Sequence, residues 1–356
     1  EEQLQVKVYG YVPKVEDCVI ESRHLGLVMP QEVQGFQEKL KKLAAVFEKT
    51  VDLDGLLSLG ETAPPLTISE EAKQRLEQPE QTGKSLRIGV ACDQAFCFFY
   101  EDNFQFLRDR GAELVFFSPV KQKHLPEELD GLLLYGGYPE LFGKQLEENE
   151  TMRKDIRQAL EKNMPLMAEC GGFMYLHEEM EDERHIVWEM AGVLNGRTYP
   201  AGKLVRFGYV ELSHEKEQKE SCYLKQGEVI KGHEFHYWDS SDNGEGLTAA
   251  KPDRRTSWKC VHTEGSLFAG YPHLYMPSCP QFAKRFTDHP PALYSWHRPC
   301  FSLQRSLFSP YSHWNTGSPR PYFPVPRYAP DRGAHSPGWS SAGCRDNGYS
   351  RTPYPW

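Results

Sequence analysis

Short, nearly unbroken apolar runs recur between residues 86 and 170, with polar, helically spaced stretches between them. LRIGVAC (86–92), AELVFFSP (112–119), LDGLLLYGG (129–137) and MPLMAEC (164–170) have the length and composition of strands covered on both faces. DNFQFLRDRG (102–111), closed by Gly111, and NETMRKDIRQALEKN (149–163) carry apolar residues at helical spacing and predict amphipathic helices. Strands and helices alternating in this way imply a parallel sheet, so 87–286 reads as a doubly wound α/β domain. Past residue 190 the pattern changes. KLVRFGYVEL (203–212), EVIKGHEFHYW (228–238) and SLFAGYPHLY (266–275) predict antiparallel additions in the second half.

The flanks are of another kind. VKVYGYVP (6–13) reads as a short strand ending at Pro13, and ESRHLGLVMP (21–30) as a loop or short strand. Gln31 to Leu59 has helical spacing, with Phe36, Leu40, Leu43, Ala44 and Phe47 on one face. The 1–60 piece is too short to bury a core alone and is expected to pack on something else. Residues 61–86 are polar with two adjacent prolines, predicting an interdomain linker with one helical turn. From 287 to 356 the vocabulary changes: 12 Pro and 7 Arg, 3 Asp, and no Lys, Glu, Ile or Met. This stretch reads as a disordered Pro/Arg/Ser-rich tail.

Composition narrows the classes of function. The 356 residues carry a net charge of −9, which gives no global field for nucleic acid or an anionic bilayer. No apolar run of 18 residues occurs, so no membrane span is predicted, and the sequence EEQLQVKVYG does not read as a signal peptide. Nine cysteines without a CxxC pair suit a reducing, cytoplasmic compartment and offer no zinc-finger spacing. GKS at 83–85 fails as a phosphate loop, because position 78 is Gln and the segment precedes a strand.

The sharpest chemical signal is PLMAECGGFMYL (165–176). An apolar strand runs through Glu169-Cys170-Gly171-Gly172 into a helix, which is the logic of a nucleophile elbow with Cys in place of Ser. The helix N-terminus there is expected to lower the thiol pKa and supply an N–H for an oxyanion. Gly136-Gly137, at the end of the neighbouring strand, can turn backbone amides toward the same site. A thiol nucleophile needs a base, and spacing leaves His233, His236 and His273 as open choices. The pair His233 and His236 lacks the HExxH spacing of a metal site, and no metal is predicted.

At this point a resemblance becomes legible. IGVACDQAFCFFYEDNFQFLRDRGAELVFFSP (88–119), YGGYPEL (135–141), AECGGFMYL (168–176), GHEFHY (232–237) and AGYPHLY (269–275) resemble, in order, the glutamine amidotransferase domain of the cobyrinate a,c-diamide synthase family. GYVPK (10–14) and ESRHLGLVMPQE (21–32) resemble the end of that family's ATP-binding domain, so the resemblance makes 1–60 a remnant of it, without the phosphate loop. It implies a class I amidotransferase type of parallel sheet. It also implies glutamine-dependent, ATP- and Mg²⁺-driven amidation of the a and c carboxylates of cobyrinate, in cobalamin synthesis. By the same carry-over Cys170 attacks glutamine to release ammonia, His273 raises its nucleophilicity, and Gly136, Gly137 and Gly171 serve the oxyanion and glutamine. Asp93, His233, Glu234 and His236 fall to the acceptor side. The triad amidotransferases have Glu two residues after the His; Tyr275 stands there, so a Cys–His dyad is expected with no orienting group assigned to His273. Related acceptors, hydrogenobyrinate or nickel-sirohydrochlorin, are alternatives, as is a non-catalytic fragment. Homodimerisation is left open.

Overall fold

The computed structural model describes residues 6–23, 26–70, 73, 86–215, 218, 221, 223–253 and 255–288. The reading of 287–356 as a tail lies outside the described residues from 289 onward, and so does most of the second half of the 61–86 stretch.

The four predicted buried strands form as Leu86–Ala91, Ala112–Phe117, Gly131–Leu134 and Leu166–Glu169. With Leu267–Gly270 they make a five-stranded, wholly parallel sheet. Across it the order is Leu267–Gly270, Leu166–Glu169, Gly131–Leu134, Leu86–Ala91, Ala112–Phe117. The three strands Gly131–Leu134, Leu166–Glu169 and Leu267–Gly270 are buried at every position, as a sheet covered on both faces requires. Strand alternation sends Leu132 and Leu134 into one core, with Met152, Ile156, Phe173 and Leu176. Leu133 goes into the other, with Phe104, Met167, Phe268 and Phe282.

The second core is closed by a five-stranded antiparallel sheet, ordered Ser257–Cys260, Leu247–Ala250, Arg206–Ser213, Val229–His236, His273–Tyr275. Its inner face, with Val210, Leu212, Ile230 and Leu274, packs into that core. A four-stranded sheet of Trp238–Ser240, Leu194–Pro200, His177–Glu181 and Val187–Glu189 completes the domain. The doubly wound α/β expectation with antiparallel additions therefore holds.

Three local expectations are corrected. SLFAGYPHLY is not one antiparallel strand. Leu267–Gly270 joins the parallel sheet, and after Tyr271-Pro272 the chain crosses to the antiparallel sheet as His273–Tyr275. Pro272 lacks the N–H a continuing ladder needs, which breaks the run there. The 6–13 segment forms only a bridge, Gly10 to Val51, instead of a strand. The 31–59 helix is split into Phe36–Thr50 and Leu53–Glu61, because Asp52 leaves the helix, donates its amide to the Tyr9 carbonyl at 2.6 Å and caps the Gly55 amide at 2.9 Å. Neither helix buries a residue, and Leu40, Phe47 and Leu57 stay exposed, so among the described residues the expected packing partner of this piece is not found.

Phe268 is fully buried, edge-to-face with Phe282 at 5.2 Å between ring centroids. Phe268→Ala is expected to lower the urea-unfolding free energy by about 3–5 kcal/mol through cavity formation. A loss under about 1 kcal/mol would place this residue outside the core.

Candidate active site

Strand Leu166–Glu169 ends at Cys170, and the helix Gly171–Leu176 begins at the next residue. Cys170 makes the bend itself, at φ 47° and ψ −107°, a conformation that costs a non-glycine residue about 1–3 kcal/mol. Hydrogen bonds hold the bend from both sides. The Cys170 amide donates to the Gly270 carbonyl at 2.9 Å, and the Met174 amide donates to the Cys170 carbonyl at 2.9 Å. The helix lies so close to the adjacent strand that a Cβ on Gly172 would collide with the Leu134 carbonyl.

Gly136 is the meeting point of the candidate groups. A Cβ there would collide with His273 Cε1 and would stand 3.2 Å from both Cys170 Cβ and His273 Nε2. Those two atoms are therefore no more than twice that distance apart. Of the histidines the sequence left open, His273 thus has its ring beside Cys170 at Gly136. The Gly137 amide nitrogen lies 3.0 Å from the position of a Cβ on Gly171, so the two predicted oxyanion glycines are neighbours as well.

The turn that carries Gly136 and Gly137 is held by Asp93. Its Oδ1 accepts from the amides of Ala95 (2.8 Å) and Phe96 (3.2 Å), and its Oδ2 accepts from Ser118 Oγ (2.7 Å) and the Val120 amide (3.0 Å). The loop so fixed meets the glycine turn through Tyr138 N to Ala95 O and Cys97 N to Gly136 O, both 2.9 Å. Asp93, expected on the acceptor side, thus has both oxygens engaged in holding this loop.

His233 lies opposite His273 in the strand pairing and packs edge-on against Phe207 and Tyr209. Glu234 and His236 point to the other, buried face of the same strand. His236 donates from Nδ1 to the Trp238 carbonyl at 2.7 Å and stacks on Tyr271 at 3.8 Å; its Nε2 is 3.8 Å from Glu234 Oε2. His177 is buried between the Phe173 carbonyl (2.9 Å) and Ser240 Oγ (2.7 Å) and supports the fold.

Burial governs the electrostatics. It pushes the Cys170 thiol well above its ordinary value; the Glu140 carboxylate adds to this, and a hydrogen bond from the Gly171 amide offsets only part. The expectation that the helix N-terminus would lower this thiol is corrected: the helix is six residues long, and desolvation outweighs it. His273 is pushed down to about 4, again by burial first and then by His233 and His236. The free site is thus a neutral thiol beside a neutral imidazole. A carboxylate not singled out from the sequence also lies here. Glu169 is 1% exposed, and its Oε2 is 3.7 Å from His273 Nδ1. An ionisable residue in an otherwise apolar strand was the available signal.

Among the described residues no helix is long and apolar enough to cross a membrane, and no group of three His, Cys, Asp or Glu could hold a metal ion.

The cobyrinate a,c-diamide synthase of Caldanaerobacter subterraneus subsp. tengcongensis is 36% identical over 290 residues, which cover 81% of this chain and 62% of that protein. The enzyme of the same name from Listeria innocua serovar 6a is 36% identical over 279 residues, covering 77% and 60%. The chain thus spans about three fifths of the length of these curated relatives. Among solved structures, PurLQS from Thermotoga maritima aligns with 57% of this chain and 98% of its own, at 16% identity and a TM-score of 0.40. The CobB/CobQ-like glutamine amidotransferase domain matches residues 87–279. By that match, which covers more than half of the residues, the chain belongs to the CobB/CobQ-like glutamine amidotransferase family.

Proposed function

We propose that this chain carries the glutaminase half of a cobyrinate a,c-diamide synthase, with Cys170 as nucleophile and His273 as its base. The observation that carries the reading is the convergence of Cys170 Cβ and His273 Nε2 on Gly136. Two ordinary residue types, separated by a hundred positions, meet on a strained strand-to-helix bend beside two neighbouring glycine amides.

The steps follow from that placement. His273 Nε2 takes the thiol proton as sulfur bonds to the side-chain carbonyl carbon of glutamine. The oxygen of the tetrahedral adduct receives the Gly137 and Gly171 amides. The imidazolium returns the proton to the amide nitrogen, the C–N bond breaks, and ammonia leaves a glutamyl thioester on Cys170. Water, deprotonated by His273, then attacks the thioester carbonyl; the C–S bond breaks, glutamate leaves, and the imidazolium returns its proton to the Cys170 sulfur. Burial that keeps the resting thiol neutral suits this order, because the thiolate forms only as it is consumed.

The acceptor is read as a ring carboxylate of a corrin precursor, on the strength of the relatives' printed name. His233, with Phe207 and Tyr209 exposed beside it, offers an aromatic face on the acceptor side, and Glu234 and His236 lie buried behind it. Activation of that carboxylate by ATP and Mg²⁺, which the family resemblance implies, is assigned to no residue of this chain. Hydrogenobyrinate and nickel-sirohydrochlorin remain alternative acceptors, distinguished by product analysis with each ring.

Cys170→Ala and His273→Ala are expected to lower ammonia release from glutamine by at least about 10³-fold while the unfolding transition is retained. Wild-type turnover in Cys170→Ala contradicts the mechanism. Gly136→Ala places a methyl group against His273 Cε1 and is expected to lower kcat by roughly 10²-fold, by displacing the ring, with little change in Tm. An unchanged kcat would show that this close approach is not needed for turnover.

A further inference from the structure

We propose that Glu169, the residue immediately before the nucleophile, is the positioning residue that orients His273: its Oε2 faces His273 Nδ1 at 3.7 Å, while its Oε1 accepts the Leu274 amide at 3.2 Å. The proposal rests on the Cys170–His273 reading and adds the group that the sequence left unassigned. It stands on three features of the fold.

The ring presents two edges to two partners. Cε1 and Nε2 lie at Gly136 beside Cys170, and Nδ1 faces Glu169. A base that takes a thiol proton at Nε2 must carry its own hydrogen on Nδ1, and a carboxylate facing Nδ1 selects that tautomer. Backbone register then explains why a residue from the nucleophile's strand reaches the histidine's strand. Glu169 pairs with Gly270 in the parallel sheet, and four residues later the Leu274 amide returns from the antiparallel sheet to Glu169 Oε1. One carboxyl group therefore clasps the strand that carries His273 to the strand that carries Cys170. Lastly, Glu169 is 1% exposed at the end of a strand otherwise made of Leu166, Met167 and Ala168. A buried carboxyl group is costly there, and a role in packing alone is served better by an apolar side chain.

Charge in the site fits a group that works when ionised. Burial pushes Glu169 up to about 8, with the Leu274 amide acting against it. Among the described residues, His273 faces it and Cys170, Tyr100 and Tyr135 feel its charge; burial raises both tyrosine hydroxyls, so they stay neutral. Below its pKa Glu169 is a neutral acid beside a neutral imidazole. Above it the carboxylate, facing Nδ1 at 3.7 Å, stabilises by its charge the imidazolium formed when the thiol proton moves to Nε2. An acid limb of glutamine hydrolysis near pH 8, set by Glu169 and not by the histidine, is the expected consequence.

The test uses the full chain and measures ammonia release from glutamine from about pH 6 to about pH 9.5. Glu169→Gln is expected to lower kcat roughly 10- to 10²-fold and to abolish the acid limb. KM for glutamine is expected to stay within about threefold, because both carboxyl oxygens are directed at the protein, one at His273 and one at the Leu274 amide. Glu169→Asp should keep the limb and recover part of kcat. A turnover-independent readout is the rate of Cys170 alkylation by iodoacetamide, followed by peptide mass spectrometry, which should rise through the same limb in the wild type and lose it in Glu169→Gln. Wild-type kcat with an unmoved limb in Glu169→Gln, or an alkylation limb unchanged in both Glu169 variants, overturns the proposal. If Glu169→Gln does not fold, a wild-type kcat in Glu169→Asp, whose shorter side chain draws the carboxylate away from Nδ1, overturns it as well. Either result with an inactive Cys170→Ala leaves the Cys170–His273 reading standing; an active Cys170→Ala removes both.

Discussion

A Cβ on Gly172 would collide with the carbonyl oxygen of Leu134, and one on Gly136 would collide with the ring of His273. The site depends on these close approaches. The helix after Cys170 can lie against the neighbouring strand, and an imidazole can reach the thiol, only because neither position carries a side chain. The strained φ of Cys170 is maintained by the same packing: its amide and carbonyl are both tied down, one to Gly270 and one to Met174. The strain of the bend is borne by a sheet buried on both faces, where backbone groups have no alternative partners.

Around this bend the two sheets act as a delivery system. The parallel sheet places Cys170 and the Gly136–Gly137 turn at the carboxyl ends of adjacent strands, where ligand sites of open α/β sheets form. The final segment then leaves the parallel sheet at Gly270 and enters the antiparallel one at His273. That change of sheet carries the imidazole across the carboxyl edge. It also turns Leu274 inward, so that its amide reaches Glu169. Asp93 fixes, through four hydrogen bonds, the loop that in turn bonds to the glycine turn.

Much of this was legible in the chain. The four apolar runs gave the parallel strands because burial on both faces leaves an unbroken apolar signature. The elbow was legible because Glu-Cys-Gly-Gly interrupts such a run. His273 could not be chosen on spacing: three histidines sit on strand-like pieces, and only tertiary register separates His273 from His233, which lies directly opposite it. The break in SLFAGYPHLY was hidden because both halves are apolar and strand-like, though they belong to different sheets. His177–Glu181 escaped notice as a strand because HEEME is mostly polar; it is exposed at two of its central positions. The effect of the short helix on the thiol was misjudged because sequence shows the helix N-terminus but not the depth of burial, which dominates.

The most direct test of the account is to catch the sulfur in the act. The chain is mixed with glutamine, quenched in acid within the first turnovers, digested and read by mass spectrometry. A glutamyl adduct on the peptide that contains Cys170, and on no other cysteine peptide, is the predicted result. Sustained ammonia release with Cys170 unmodified at every quench time would contradict it.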